Sequence, residues 1–62
     1  MNDYIIYCRL FARHLAVRSS SINIVGIVED YQGNKVIRFD CKGVPYLGVV
    51  NPDNVPQIYR RV

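Results

Sequence analysis

The chain has 62 residues, a net charge of +3, 50% apolar residues and 21% charged ones, as expected of one globular domain. That balance excludes an intrinsically disordered chain, the four Gly and three Pro exclude collagen-like and low-complexity classes, and two Cys are too few for a disulfide scaffold. Sixteen residues are Ile or Val, a β-branched excess that favours strands.

Charge is concentrated at the two ends. Arg9, Arg13 and Arg18 precede a slightly acidic middle, Arg60 and Arg61 close the chain, and six of the eight cations are Arg. The longest clean apolar run, Tyr4 to Cys8, falls far short of the about eighteen residues that suggest a membrane span. It is also too short for a signal-peptide core, and Asp3 stands where a positive leader region would be. These features predict no membrane association and no secretion. The expected location is the cytoplasm or an intracellular assembly such as a phage or virus particle.

The first segment fits two periods. Read as a strand, residues 3–12 put Tyr4, Ile6, Cys8, Leu10 and Ala12 on one face. Read as a helix over residues 4–17, with Asn2 or Asp3 as N-cap, they align Tyr4, Cys8, Phe11 and Leu15 and leave Arg9 and Arg13 exposed. Residues 21–31 predict a strand whose apolar face changes near Gly26, so a bulge or bend is expected there. Residues 29–35 predict a hairpin loop with positive φ at Gly33 and Asn34. Residues 35–42 alternate cleanly, with Ile37, Phe39 and Cys41 opposite Val36, Arg38, Asp40 and Lys42. A tight turn at Gly43, a strand over 44–50, a turn with one 3₁₀ element in the Pro-bracketed 51–56 and a short strand over 58–62 complete the reading.

Two architectures accommodate these elements. The first is mainly β: an antiparallel meander closing as a five-stranded SH3-like barrel. The second is α+β: an N-terminal helix packed on a three- to four-stranded antiparallel sheet. Both place Ile22, Ile24, Ile27, Ile37, Phe39 and Leu47 in the core. Residues 26–40, with Gly26 before two apolar residues, a Gly33-Asn34 turn and alternation after it, resemble the central hairpin of KOW and other SH3-like nucleic-acid-associated barrels. The resemblance covers about a quarter of the chain and implies the barrel architecture.

No catalytic constellation is apparent, and no cofactor, metal or small-molecule substrate is expected. His14 lacks a positioned partner for proton transfer. Cys8 and Cys41 fall on apolar faces without zinc-ligand spacing and are expected as reduced core residues. Glu29 and Asp30 are neighbours at a strand end and point apart. The four glycines match no phosphate-binding loop. The remaining candidate is the basic and aromatic set Arg9, Arg13, His14, Arg18, Tyr59, Arg60 and Arg61, which merges into one face if the terminal elements adjoin. Arg and Tyr are interface anchor types, and Arg beside Tyr also suits nucleic acid. The expected function is that of a small non-enzymatic protein-binding module (regulator, inhibitor or assembly subunit) docking on a larger protein or assembling as a homo-oligomer. The alternative is a small basic barrel contacting nucleic-acid phosphates through its terminal Arg residues.

Overall fold

The computed structural model describes residues 3–61. Its first element is helix α1, Asp3–Leu15. The strand period would leave Phe11 outside with two arginines. The helical period gathers Tyr7, Phe11 and Ala12 into the core and packs Cys8, Leu10 and Leu15 against it. Burial of that stripe outweighs the poor helix propensity of Ile5 and Ile6, both exposed in the opening turns. Of the two N-cap candidates, Asn2 lies outside the described residues and Asp3 is the first residue of α1.

The helix ends on a left-handed residue, Ala16, at φ 57°. Val17 N–H donates to the Ala12 carbonyl at 2.9 Å and Ala16 N–H to that of Arg13 at 3.3 Å, the paired bonds of a Schellman cap with Ala in the usual glycine position. A 3₁₀ turn, Ser19–Ser21, then leads into strand β1, Ile22–Glu29. The 3₁₀ element therefore precedes the sheet and does not occupy residues 51–56 as expected.

Strands β2 (Lys35–Cys41), β3 (Val44–Val50) and β4 (Pro56–Arg60) follow, and the four form an antiparallel meander in the order β1-β2-β3-β4. The sheet is open. The barrel expectation fails because its first strand is the helix, which lies across one face and touches both β1 and β4. The α+β reading is the one adopted. Val62, expected to end the last strand, lies outside the described residues.

The β1–β2 register shifts between Ile24 and Gly26, the bulge expected from the sequence. The extra residue, Val25, turns the strand so that Ile27 rejoins Ile22 and Ile24 on the helix side. A strict period of two would have sent Ile27 to the other face.

The core lies between helix and sheet. Phe11, Ile37 and Phe39 have no exposed surface, and Val50 has 1%. Phe11 stacks on Phe39 with centroids 4.3 Å apart, and Phe39 on Tyr46 at 5.4 Å. Of the expected core, Ile22, Ile37 and Phe39 are buried, and Ile24 and Ile27 pack against them half-buried. Leu47 is a correction: it pairs with Arg38 and Tyr59 and therefore lies on the opposite face. Strand β3 is apolar on both sides, so alternation could not orient it. Gly48 takes the helix-facing place because the Phe11 ring fills the volume that a side chain there would need.

The loops at one end of the sheet share one construction. In the β1–β2 loop, Asp30 Oδ1 accepts from Gln32 N–H at 2.8 Å and Asn34 N–H at 2.9 Å, and Gly33 has φ 84°. In the β3–β4 loop, Asn51 Oδ1 accepts from Asp53 N–H at 3.0 Å and Val55 N–H at 2.9 Å, and Asn54 has φ 62°. Asn34, expected at positive φ, does not adopt it; Gly33 alone carries the left-handed turn in that loop. Lys42 and Gly43, at φ 51° and 80°, make the tight turn at the other end.

Desolvation pushes the Asp30 carboxyl up, but the hydrogen bonds from Asn34, Gln32 and Gly33 together outweigh it and hold the pKa below the ordinary 3.8. A depressed carboxyl contributes stability that is fully present above the unfolded value and is lost as pH falls through the folded one. Asn51 shows that an amide oxygen accepts the same two backbone bonds. Asp30→Asn is therefore expected to keep the loop and lose the titration. Urea midpoints of the two proteins should converge as pH falls below the ordinary Asp value; a constant difference across that range would refute the linkage.

Candidate functional site

The stripe of α1 opposite the core is both basic and apolar. Arg9 and Arg13 stand one turn apart on it, fully outward. Ile5 and Ile6 remain 52% and 43% exposed in the opening turns, and Tyr4, at the start of the core-facing stripe, is 51% exposed. Ile6, Arg9, Leu10 and Arg13 line an open groove of about 230 Å³. A second groove of about 260 Å³ runs between the helix and the 3₁₀ turn, lined by Tyr4, Ile5, Cys8, Arg9, Ser19 and Ser20. Arg9 thus borders both.

His14 is exposed and shares the last helical turn with Arg13, where cations favour the helix dipole. Arg18 precedes the 3₁₀ turn, exposed and without a side-chain capping bond. Among the described residues the one ion pair is the exposed Lys35–Glu29 bridge at 2.9 Å, so Arg9, Arg13 and Arg18 have no carboxylate partner there. Desolvation raises the Cys8 thiol pKa, and Cys8 Sγ–H points at the Ile22 carbonyl at 3.9 Å. Cys8 is half-buried, Cys41 is buried, and both are free thiols.

The C-terminal candidates divide. Arg60 pairs with Tyr46 and faces the helix side of the sheet. Tyr59 pairs with Leu47 on the other side, and Arg61, whose N–H donates to the Pro45 carbonyl at 3.0 Å, continues that alternation. The terminal elements do adjoin, since α1 touches β4. They do not make one face of the whole set: alternation along β4 sends Tyr59 and Arg61 to the side away from the helix.

That other side is a surface that sequence reasoning missed. No element among the described residues covers it. The apolar residues Val25, Val28, Val36, Leu47, Val49 and Tyr59 share it, Val25, Val28 and Tyr59 being more than half exposed. The available signal was Val36, which alternation put on the Arg38–Asp40 face from the start. Treating Leu47 as core concealed its neighbours.

Among the described residues no three His, Cys, Asp or Glu side chains gather where they could hold a metal ion, and no helix is long and apolar enough to cross a membrane. The fold and its surfaces define an α+β domain: one amphipathic helix on one side of a four-stranded meander, with a basic-apolar helix face and an uncovered sheet face. Comparison with protein-family models, curated proteins and solved structures finds no match to the chain.

Proposed function

We propose that the chain is a small non-enzymatic protein-binding module that docks on a larger protein through the outward stripe of α1. The observation that carries this reading is that Arg9 and Arg13, which have no carboxylate partner among the described residues, share one groove with exposed Ile6, while exposed Ile5 lies with Arg9 on the adjoining groove. Arg offers a planar fork to carboxylates, and the apolar turn beside it supplies contact area. The matching partner surface carries one or two carboxylates next to an apolar anchor. Phosphates would engage the arginines and leave Ile5 and Ile6 unrewarded, so a protein fits this face better than nucleic acid does.

A photo-crosslinking residue in place of Ile6, introduced in the source cells, tests the reading. One protein adduct of defined mass is expected, and it should disappear when Arg9→Glu and Arg13→Glu are added. The same probe in place of Tyr31, 95% exposed in the β1–β2 loop, is the control. Labelling at position 6 no different from that at 31, or a nucleic-acid adduct that fades with rising salt, would overturn it.

A further inference from the structure

We propose that the uncovered face of the sheet is where two copies of this chain meet, sheet on sheet, with the helices on the two outer sides. This goes beyond the docking role of α1 and uses a different surface. The chain is a plate, 30 × 28 × 17 Å, and among the described residues one helical layer lies on one side only. A sheet with apolar residues on both faces requires cover on both.

The charges on this face select a second copy as the cover. Arg38 and Asp40 lie two residues apart on β2, an inner strand of the sheet, and both point away from the helix. A twofold axis crossing β2 at the level of Phe39 lays β2 over its symmetry mate in the opposite direction. Arg38 of each copy then stands over Asp40 of the other. The same axis lays Tyr59 over Arg61, because those residues occupy the same two rows on β4. One operation thus satisfies two ion pairs and two cation–π contacts, and brings no like charges together. An unrelated protein would need to present this charge order independently.

The size of the face sets the strength. The axis at Phe39 overlaps five of the seven residue rows of β2, so four strands at ~4.8 Å spacing and about five residues at ~3.3 Å give a flat projection of ~320 Å² per copy, or ~630 Å² for the pair. That lies below the ~1,000 Å² near which specific interfaces begin, so the dimer is weak and dissociates on dilution. Back-to-back packing also presents two α1 grooves outward, and a partner with two matching sites would gain from both.

Sedimentation equilibrium on the chain, from about 10 μM to about 1 mM, reads the association directly. The mass should rise from 7.2 kDa toward twice that value across the series. Arg38→Asp sets Asp over Asp and Asp40→Arg sets Arg over Arg, so each alone should weaken dimerisation by on the order of a hundredfold. Mixing the two single variants should restore a dimer, now a heterodimer, and the double swap R38D/D40R should restore the homodimer. Arg38 is exposed and Asp40 half-buried, and circular dichroism of each variant checks that it is folded. A chain that stays at 7.2 kDa throughout, or a dimer indifferent to the swaps and their recombination, overturns the proposal. Either result leaves crosslinking at Ile6 untouched, so this inference and the docking reading fail separately.

Discussion

Gly48→Ala should cost about 2–3 kcal/mol, a large share of the stability available to a chain that, at roughly 0.05–0.15 kcal/mol per residue, holds only about 3–9 kcal/mol. Gly48 faces the helix from β3, between Ile37 and Ile58. A Cβ there would stand 2.5 Å from Phe11 Cζ, 2.6 Å from Phe11 Cε1 and 3.2 Å from Phe39 Cε1. Neither ring is free to withdraw, since both are fully buried and stacked on each other within 6° of parallel. Relief requires lifting α1 from the sheet, because Phe11 anchors it there. In an open strand the same substitution would gain about 0.5–1 kcal/mol by restraining the unfolded chain. Gly26 provides that contrast: it has no atom within 4 Å of the added methyl, so Gly26→Ala should gain up to that amount. Thermal or urea unfolding at fixed protein concentration decides the matter. A Gly48→Ala midpoint close to that of Gly26→Ala would show that the helix accommodates the methyl and that the stack is not the constraint described.

Strands β1, β2 and β3 were legible in the sequence because local rules and tertiary packing agree there. Ile37, Phe39 and Cys41 alternate with charged residues, Gly26 marks the bulge, and Lys42-Gly43 has the chemistry of a tight turn. The first segment was legible only as two alternatives. Its residues satisfy both periods, and the deciding fact is non-local: Phe11 needs a partner on β2 and a vacancy on β3. No window of sequence around residue 11 contains Gly48. The same distance concealed the candidate site. Arg9 and Arg13 were placed correctly on an exposed face under the helical reading. Whether Arg60 or Arg61 joined them depended on which side of the sheet β4 turned to the helix, and a one-residue difference in register reverses that answer. The uncovered face escaped notice because β3 is apolar on both sides, so its sequence states that it is buried and not which side is covered.

Phe11→Ala should be at least as damaging as Gly48→Ala, and the two together should be milder than their sum. Truncating a fully buried Phe typically costs about 3–5 kcal/mol through lost burial and the cavity left behind. Here the ring is also the contact through which α1 reaches β2 and β3, so its loss releases the helix and unfolds much or all of the chain in plain buffer. Trimethylamine oxide or sulfate, which favour compact states, would bring the single variants into a measurable range, and Phe11→Leu offers a gentler version. In either Phe11 background the methyl that Gly48→Ala introduces no longer meets a ring and begins to fill the space it vacated. The Gly48→Ala penalty should then shrink by about 2 kcal/mol or change sign, a coupling expected only of residues that share one volume. Strict additivity would mean that Gly48 is required for the backbone of β3 and not for the ring. The cycle also bears on docking, because the groove between Ile6 and Arg13 exists only while the opposite stripe of the same helix is seated. Variants that loosen Phe11 should therefore lose crosslinking at Ile6 together with most of their stability, whereas Arg9→Glu with Arg13→Glu should lose it at a cost of only about 1 kcal/mol, from the reversed charge at the helix end. That difference separates the residues that hold the helix in place from those that it presents.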